Sequence, residues 1–525
     1  AYRFGGTTMT TKGFEFVQEL HIFPHKSDYL AFHPQTFTLF RVGGGLSEVL
    51  SSLQATEDIS ETAQRFGVQD TELQAKLLVM KDRIEREGTL VPNKPAGEPR
   101  DREIALTIHV SNACNLDCGY CYALGGDYGR ETRRRMDEDI AIKAIEKMYQ
   151  NFPNIVDIMF FGGEPLLAVD VIESICKYID GKLERGEIKS LPKYKMVTNG
   201  TLIGDEAIEV IKKYKINLTI SLDGPKEIND KLRPYKGGQG SFDAVKKGFY
   251  RVVDEAGQVP EIEATYTQLH REAGLTMERL IDFLHQEFLF TVGTVAYVDL
   301  PEGHPWSVPE EHTAPEITKS FNEMVMAIAK GEMPKMERSF LFPFLQFIRK
   351  SGSRYTCAVG HDGFDITTEG EIYPCQVFIG RPEFLMGTVD DFDYDNPSPA
   401  LKRTLDLMIY ADKDRNPICR DCFAKDFCVT CPGSHLFSAN NYNVPEHFCT
   451  SMRKWVENVL GVLYDIKSDP ILWKNFLHGL KEMSQEIEHQ KIPTGPLPYR
   501  PTTPMISQPS QSQPKLYHLE GLHRA

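Results

Sequence analysis

No apolar stretch in the 525 residues is long enough to cross a bilayer, and the N-terminus, Ala1 to Gly13, has no basic segment followed by an apolar core. No membrane partner is expected, and a cytoplasmic location is the expectation. Positive charge is also scarce: 59 Lys and Arg against 74 Asp and Glu leave a formal net charge of −15. Broad binding to nucleic-acid phosphates needs a basic face, so no nucleic-acid partner is expected. The run Arg133-Arg134-Arg135 reads as a solvated turn. The cysteines do not form an even set. There are 11, in spaced clusters, and a reducing compartment disfavours structural disulfides, so they read as metal ligands.

What is present divides the chain into modules. Residues 1–95 read as a small α+β unit with strands at His21–Phe23, Tyr29–His33 and Phe37–Val42, then helices from Leu46; the Pro-rich stretch from Pro92 to Arg102 reads as a linker. Over 103–330, short β-rich runs alternate with helical periodicity, the pattern of a parallel sheet built from βα units. Six strands are expected: Leu106–Val110, Val156–Phe161, Lys195–Thr198, Leu218–Leu222, Ile262–Thr267 and Val292–Val298. The fold class is therefore α/β, a partial TIM-like barrel of six βα units. Residues 331–465 are irregular and cysteine-dense, so metal is expected to organise them. Residues 466–525 read as a C-terminal helix and a Pro-, Ser- and Gln-rich tail with little to bury.

The first cluster, Cys114-Asn-Leu-Asp-Cys118-Gly-Tyr-Cys121, follows the first barrel strand at its C-terminal end, where such folds assemble active sites. Three thiolates on a four-iron cluster leave one iron free for a substrate or cofactor. A structural zinc loop would show paired Cys-x2-Cys half-sites and a fourth ligand. The spacing Cys-x3-Cys-x2-Cys, with the aromatic Tyr120 before the last Cys, closely resembles the radical S-adenosylmethionine (SAM) superfamily. That resemblance implies that the free iron chelates SAM and that reductive cleavage yields a 5′-deoxyadenosyl radical. Gly162-Gly163-Glu164-Pro165 resembles the family segment whose backbone and glutamate hold the SAM amino group. Asn199, in Thr198-Asn-Gly, and Ser221, in Ser-Leu-Asp-Gly-Pro, resemble its ribose and carboxylate contacts, with Arg233 a further carboxylate partner.

The second cluster comprises Cys357, Cys375, Cys419, Cys422, Cys428, Cys431 and Cys449, and resembles the SPASM extension, which implies two auxiliary four-iron clusters, three clusters in all. On that resemblance Cys419, Cys422, Cys428 and Cys449 hold a distal cluster, and Cys357, Cys375 and Cys431 a proximal one. One departure is that the last internal spacing is two residues rather than three. Another is a missing eighth cysteine, which leaves the proximal cluster an open iron or a non-cysteine ligand such as His361, Asp362 or water. Cys176, mid-helix, reads as an inert core cysteine.

Residues 1–95 resemble the winged-helix-like modules that bind leader peptides of ribosomally made peptides. Together the modules imply a peptide or protein maturase, supplied with electrons by a flavodoxin or ferredoxin. Gly125-Gly-Asp-Tyr-Gly129 and Phe160-Phe-Gly-Gly-Glu-Pro-Leu166 are most like the thioether-forming group, which includes ranthipeptide synthases and the maturase of quinohemoprotein amine dehydrogenase. In sulfatase-maturing relatives an aspartate base follows the cysteine equivalent to Cys375; here Gln376 stands there and cannot act as that base. The competing readings are carbon-carbon crosslinking or another oxidative peptide modification, a SPASM enzyme acting on a small molecule, and an iron-sulfur electron carrier without chemistry of its own.

Overall fold

The computed structural model describes residues 13–90, 102–130, 133–288, 292–300, 303–332, 336–337, 342–352, 354–355, 360–428, 431–433 and 444–488. Its main sheet has ten strands. Six are the parallel barrel strands: β4 (Ile104–Ser111), β5 (Ile155–Gly162), β6 (Lys193–Thr198), β7 (Asn217–Ser221), β8 (Glu261–Tyr266) and β9 (Val292–Tyr297). Each begins or ends within two residues of its sequence expectation.

The sheet continues beyond those six on both sides. β10 (Met336–Glu337) pairs in parallel with β9, while β11 (Gly363–Ile366) runs parallel to β4 and carries β12 (Glu371–Tyr373) and β13 (Gly387–Thr388) antiparallel. The cysteine-dense region is thus stitched onto the first barrel strand. Alternation along the strands explains the layering. Ile104, Leu106, Ile108, Ile158, Phe160, Met196, Leu218, Ile220 and Ile262 are buried under the helices. Residues of the opposite register, such as Asp157, Lys195, Thr219 and Glu263, keep accessible surface on the inner face. Because the six strands are parallel, all their C-terminal loops gather at one end.

The N-terminal sheet is an antiparallel meander of β1 (His21–His25), β2 (Asp28–His33) and β3 (Thr38–Val42). Its two faces enter two different cores. Ala31, Phe40 and Val42 pack on the module's own helices, Gly44–Thr56, Ile59–Phe66 and Asp70–Glu87. Phe23, Leu30, Phe32 and Leu39 share a core with helices Glu310–Ala329, Glu446–Ser468 and Pro470–Glu488. Contacts at the rim add to this. His21 stacks on Phe423, and its ring bonds Glu457 at 2.8 Å; His25 bonds Asp465 at 3.1 Å. The N-terminal sheet is therefore built into the C-terminal helices. Apolar alternation tells that a strand face is covered, but not by what.

Cys176 lies in helix Val169–Glu184 with no exposed surface, and burial pushes its thiol up, so it stays protonated. The arginine run has carboxylate partners throughout: Arg133 pairs with Asp127, Arg134 with Asp137 and Arg135 with Asp170. Cys357 lies outside the described residues.

Candidate active site

The loop after β4 is held by backbone bonds to the loop after β5: Gly163 N–H donates to Ser111 O and Glu164 N–H to Ala113 O, both at 2.8 Å. Within it, three donors face sulfur. Leu116 N–H points to Cys114 Sγ and Gly125 N–H to Cys121 Sγ, each at 3.5 Å, and Asn199 Nδ2 to Cys114 Sγ at 3.7 Å. Such donors suit thiolates.

Burial works the other way, raising Cys114 and pushing Cys118 up to about 12, and the thiols of Cys114, Cys118 and Cys121 act on one another. Three neighbouring half-buried thiols gain by losing their protons to a metal centre. Among the described residues no three His, Cys, Asp or Glu side chains converge as the ligands of a single ion do. Three thiols on one loop are the donor set that a four-iron cluster with one open iron takes.

Beside the thiols lies a polar network centred on Asp223, which is fully buried. Tyr120 donates its hydroxyl hydrogen to Asp223 Oδ2 at 2.5 Å, and Arg233 Nη1 donates to the Tyr120 hydroxyl at 2.6 Å. Thr265 N–H donates to Asp223 Oδ1, and His270 Nε2 donates to the Asp223 carbonyl at 2.6 Å. Burial lowers the His270 pKa, and its Nδ1 accepts from Thr267 N–H, so the ring stays neutral and fixes the turn. Arg233 Nε is buried without a hydrogen-bond partner among the described residues. An unpaired guanidinium donor here fits an anionic ligand such as the SAM carboxylate.

Replacing Arg233 with Gln removes one charge-assisted contact, about 1.5–3 kcal/mol, so SAM affinity should fall about 10- to 150-fold. Anaerobic calorimetry with SAM measures it; unchanged affinity would take Arg233 out of the pocket.

Glu164 has a structural task that its motif does not reveal. Its carboxylate accepts from Leu166 N–H at 3.0 Å, Thr198 Oγ1 at 2.6 Å and Asn199 N–H at 2.8 Å, joining the loops after β5 and β6. Burial still pushes its pKa up, so a neighbouring ammonium would suit it. Asn199 Nδ2 also donates to Asn115 Oδ1 at 2.9 Å. Ser221 ends β7, half-buried on the inner face. Gly162 and Gly163 serve close backbone approach, since a Cβ on either would lie 2.0 or 2.4 Å from the carbonyl oxygen of Ser111 or Ala113.

Cys419, Cys422, Cys428 and Cys449 line one cavity, with about 360 Å³ of atom-free space that is partly open to solvent. Burial pushes Cys419 up to about 11 and Cys428 up to about 12. Cys375 is half-buried and caps the short turn Gln376–Phe378, while Cys431 is exposed. The Tyr122 phenol, on the first loop, lies within electrostatic reach of both Cys121 and Cys375.

Sequence reasoning missed the buried pair His109 and Asp365, bonded at 2.8 Å. Asp365 also accepts the Gln376 N–H, so the pair ties β4 to the Cys375 turn. Nothing local announces it, since the partners stand 256 positions apart.

Residues 108–284 match the Radical SAM superfamily. Relatives include a cysteine-type anaerobic sulfatase-maturating enzyme of Clostridium novyi, 24% identical over 68% of this chain and 96% of its own length. Another is an uncharacterized protein of Methanocaldococcus jannaschii, 41% identical over 28% of this chain and 47% of its own length, so the chain spans about half of that relative. Among solved structures, anSMEcpe with bound AdoMet aligns with a TM-score of 0.57 at 18% identity, over 69% of this chain and 98% of that one, which shows a common fold. Residues 108–284 thus carry a Radical SAM domain, a superfamily whose members use SAM and a four-iron cluster. The sulfatase-maturating relatives align beyond that domain, over 68% and 72% of this chain.

Proposed function

We propose that this enzyme is a peptide maturase in which Cys114, Cys118 and Cys121 hold the SAM-binding cluster and a crosslink, a Cys thioether, is formed within a substrate peptide. When bound, the cluster and SAM supply a 5′-deoxyadenosyl radical that abstracts a substrate hydrogen. Arg233, Glu164, Asn199 and Ser221 orient SAM, and Tyr120 holds Arg233 in place. The single observation that carries the reading is the second thiol-lined cavity, formed by Cys419, Cys422, Cys428 and Cys449 apart from the first loop. It fits an auxiliary cluster, and Cys375, Cys431 and Cys357 would serve a third, with an open iron able to take a substrate thiolate.

Two features favour crosslinking over formylglycine formation. The residue after Cys375 is an amide, Gln376, whose Oε1 lies 3.5 Å from Cys375 Sγ. The buried carboxylate near that turn, Asp365, is already engaged by His109. For the substrate, β1 carries Pro24, which blocks part of its edge, leaving β3 as the edge on which an extended leader can add a strand.

The test is co-expression with a cysteine-containing precursor peptide, with and without its leader, followed by mass measurement. Loss of two hydrogens per link, only with the leader present, is the expected result. An aldehyde at the cysteine would instead place the enzyme with the sulfatase maturases.

A further inference from the structure

We propose that Lys413, with Arg453 as its outer companion, is the built-in counter-charge of the four-cysteine cavity and raises the reduction potential of the cluster held there. The inference rests on the reading of Cys419, Cys422, Cys428 and Cys449 as cluster ligands.

Both cations line that cavity together with the four thiols. Lys413 is only 1% exposed. Its ammonium donates to the carbonyl oxygens of Lys425 at 2.7 Å and Cys428 at 3.2 Å, both neutral acceptors. The acids beside it in the chain are engaged elsewhere. Asp412 pairs with Arg354 at 2.8 Å and Asp414 with Lys425 at 2.9 Å. The negative groups that act on Lys413 are the thiols of Cys428 and Cys419 and, between them in strength, Asp426. Arg453 pairs with Glu446 at 3.1 Å and also bonds the sulfur of Cys422.

A buried lysine and a set of buried thiols are each unfavourable as ions when alone. Side by side, an ammonium and the thiolates of an iron-bound set offset each other's charge. Four thiolates outweigh the positive charge of an iron-sulfur core, and reduction adds one more negative charge. A cation held at fixed distance in a weakly solvated site stabilises that reduced state more than the oxidised one, so the potential rises.

The experiment is an anaerobic redox titration, read by electron paramagnetic resonance, of the full-length reconstituted protein with Cys114, Cys118 and Cys121 replaced by alanine, which removes the SAM-cluster signal. Lys413→Met should move the reduction equilibrium about tenfold toward the oxidised form, about 59 mV lower for a one-electron couple. Lys413→Arg should recover most of the shift, and Arg453→Gln, at the rim, should lower the potential by less. A merely structural role would lower iron content without moving the potential of the iron that remains. Unmoved potentials in Arg453→Gln and in Lys413→Met, or in Arg453→Gln alone if Lys413→Met loses its iron, overturn the proposal. The underlying reading fails separately, if Cys428→Ala with Cys449→Ala leaves the iron content unchanged.

Discussion

Replacing Cys114, Cys118 and Cys121 together with alanine should abolish 5′-deoxyadenosine formation, a fall of at least about 10⁴-fold given the barriers that enzymes of this power overcome. The expectation follows from where the thiols stand. They sit on one loop at the C-terminal end of β4, beside the Tyr120, Asp223 and Arg233 network. No other cysteine among the described residues shares that loop: Cys176 is buried in helix Val169–Glu184, Cys375 caps the turn Gln376–Phe378, Cys431 is exposed, and Cys419, Cys422, Cys428 and Cys449 line their own cavity. The loop's anchors are backbone bonds from Gly163 and Glu164 to Ser111 and Ala113, which alanine at the three positions leaves intact. The triple variant should therefore fold, bind less iron and keep the iron of the four-cysteine cavity. Liquid chromatography of anaerobic reactions with SAM and dithionite measures the product. Persistent 5′-deoxyadenosine would remove the loop from the chemistry and revive the reading of a cluster carrier that cleaves no SAM.

The thiols were legible in the sequence because cluster ligands on one loop obey a short, fixed spacing. The strands were legible because a sheet covered by helices imposes alternation on Ile104, Leu106 and Ile108, and again on Leu218 and Ile220. What stayed hidden is non-local. Asp223 was visible as part of a turn, but its role as the acceptor for Tyr120 and neighbour of Arg233 depends on how three loops meet. The same holds for His109 with Asp365, and for β1 docking on helix Glu446–Ser468. Strands β10 and β13 have only two residues each, too short for any periodicity to show.

The contacts of Asp223 and of His109 share a direction: they tie the first cysteine loop and its strand to the rest of the molecule. His109 reaches the Cys375 turn through Asp365, and the Tyr122 phenol feels the charge of both Cys121 and Cys375. The Gly125–Gly129 stretch completes the tie. A Cβ on Gly126 would lie 2.3 Å from Gly163 Cα, and one on Gly380, beyond the Cys375 turn, 3.3 Å from the Tyr128 carbonyl. The loop is thus wedged between the segment after β5 and the cysteine-dense region. The separation between the SAM site and Cys375 is set by packed backbone.

Gly163→Ala is the sharpest probe of that wedge. The added methyl would lie 2.4 Å from the Ala113 carbonyl oxygen, 2.6 Å from its carbon and 2.9 Å from the Gly125 carbonyl oxygen. All three are backbone atoms of the cysteine loop or its continuation, so no side chain can swing aside. Relief requires the loop after β5 to lift from the loop after β4, breaking the Gly163 bond to Ser111 and the Glu164 bond to Ala113. The cost should reach about 3 kcal/mol or more, the upper range for overpacking. Glu164 would shift with it, away from Thr198 and Asn199, so the SAM pocket should fail along with the cluster loop. The variant is expected to melt earlier and to lose both the iron of the first site and measurable SAM binding, while Gly45→Ala, in helix Gly44–Thr56 with nothing within 4 Å, should be neutral or stabilising by up to about 1 kcal/mol. Thermal melting with iron analysis of both variants decides it: a Gly163→Ala protein with full iron and an unchanged melting point would show that the two loops do not depend on each other.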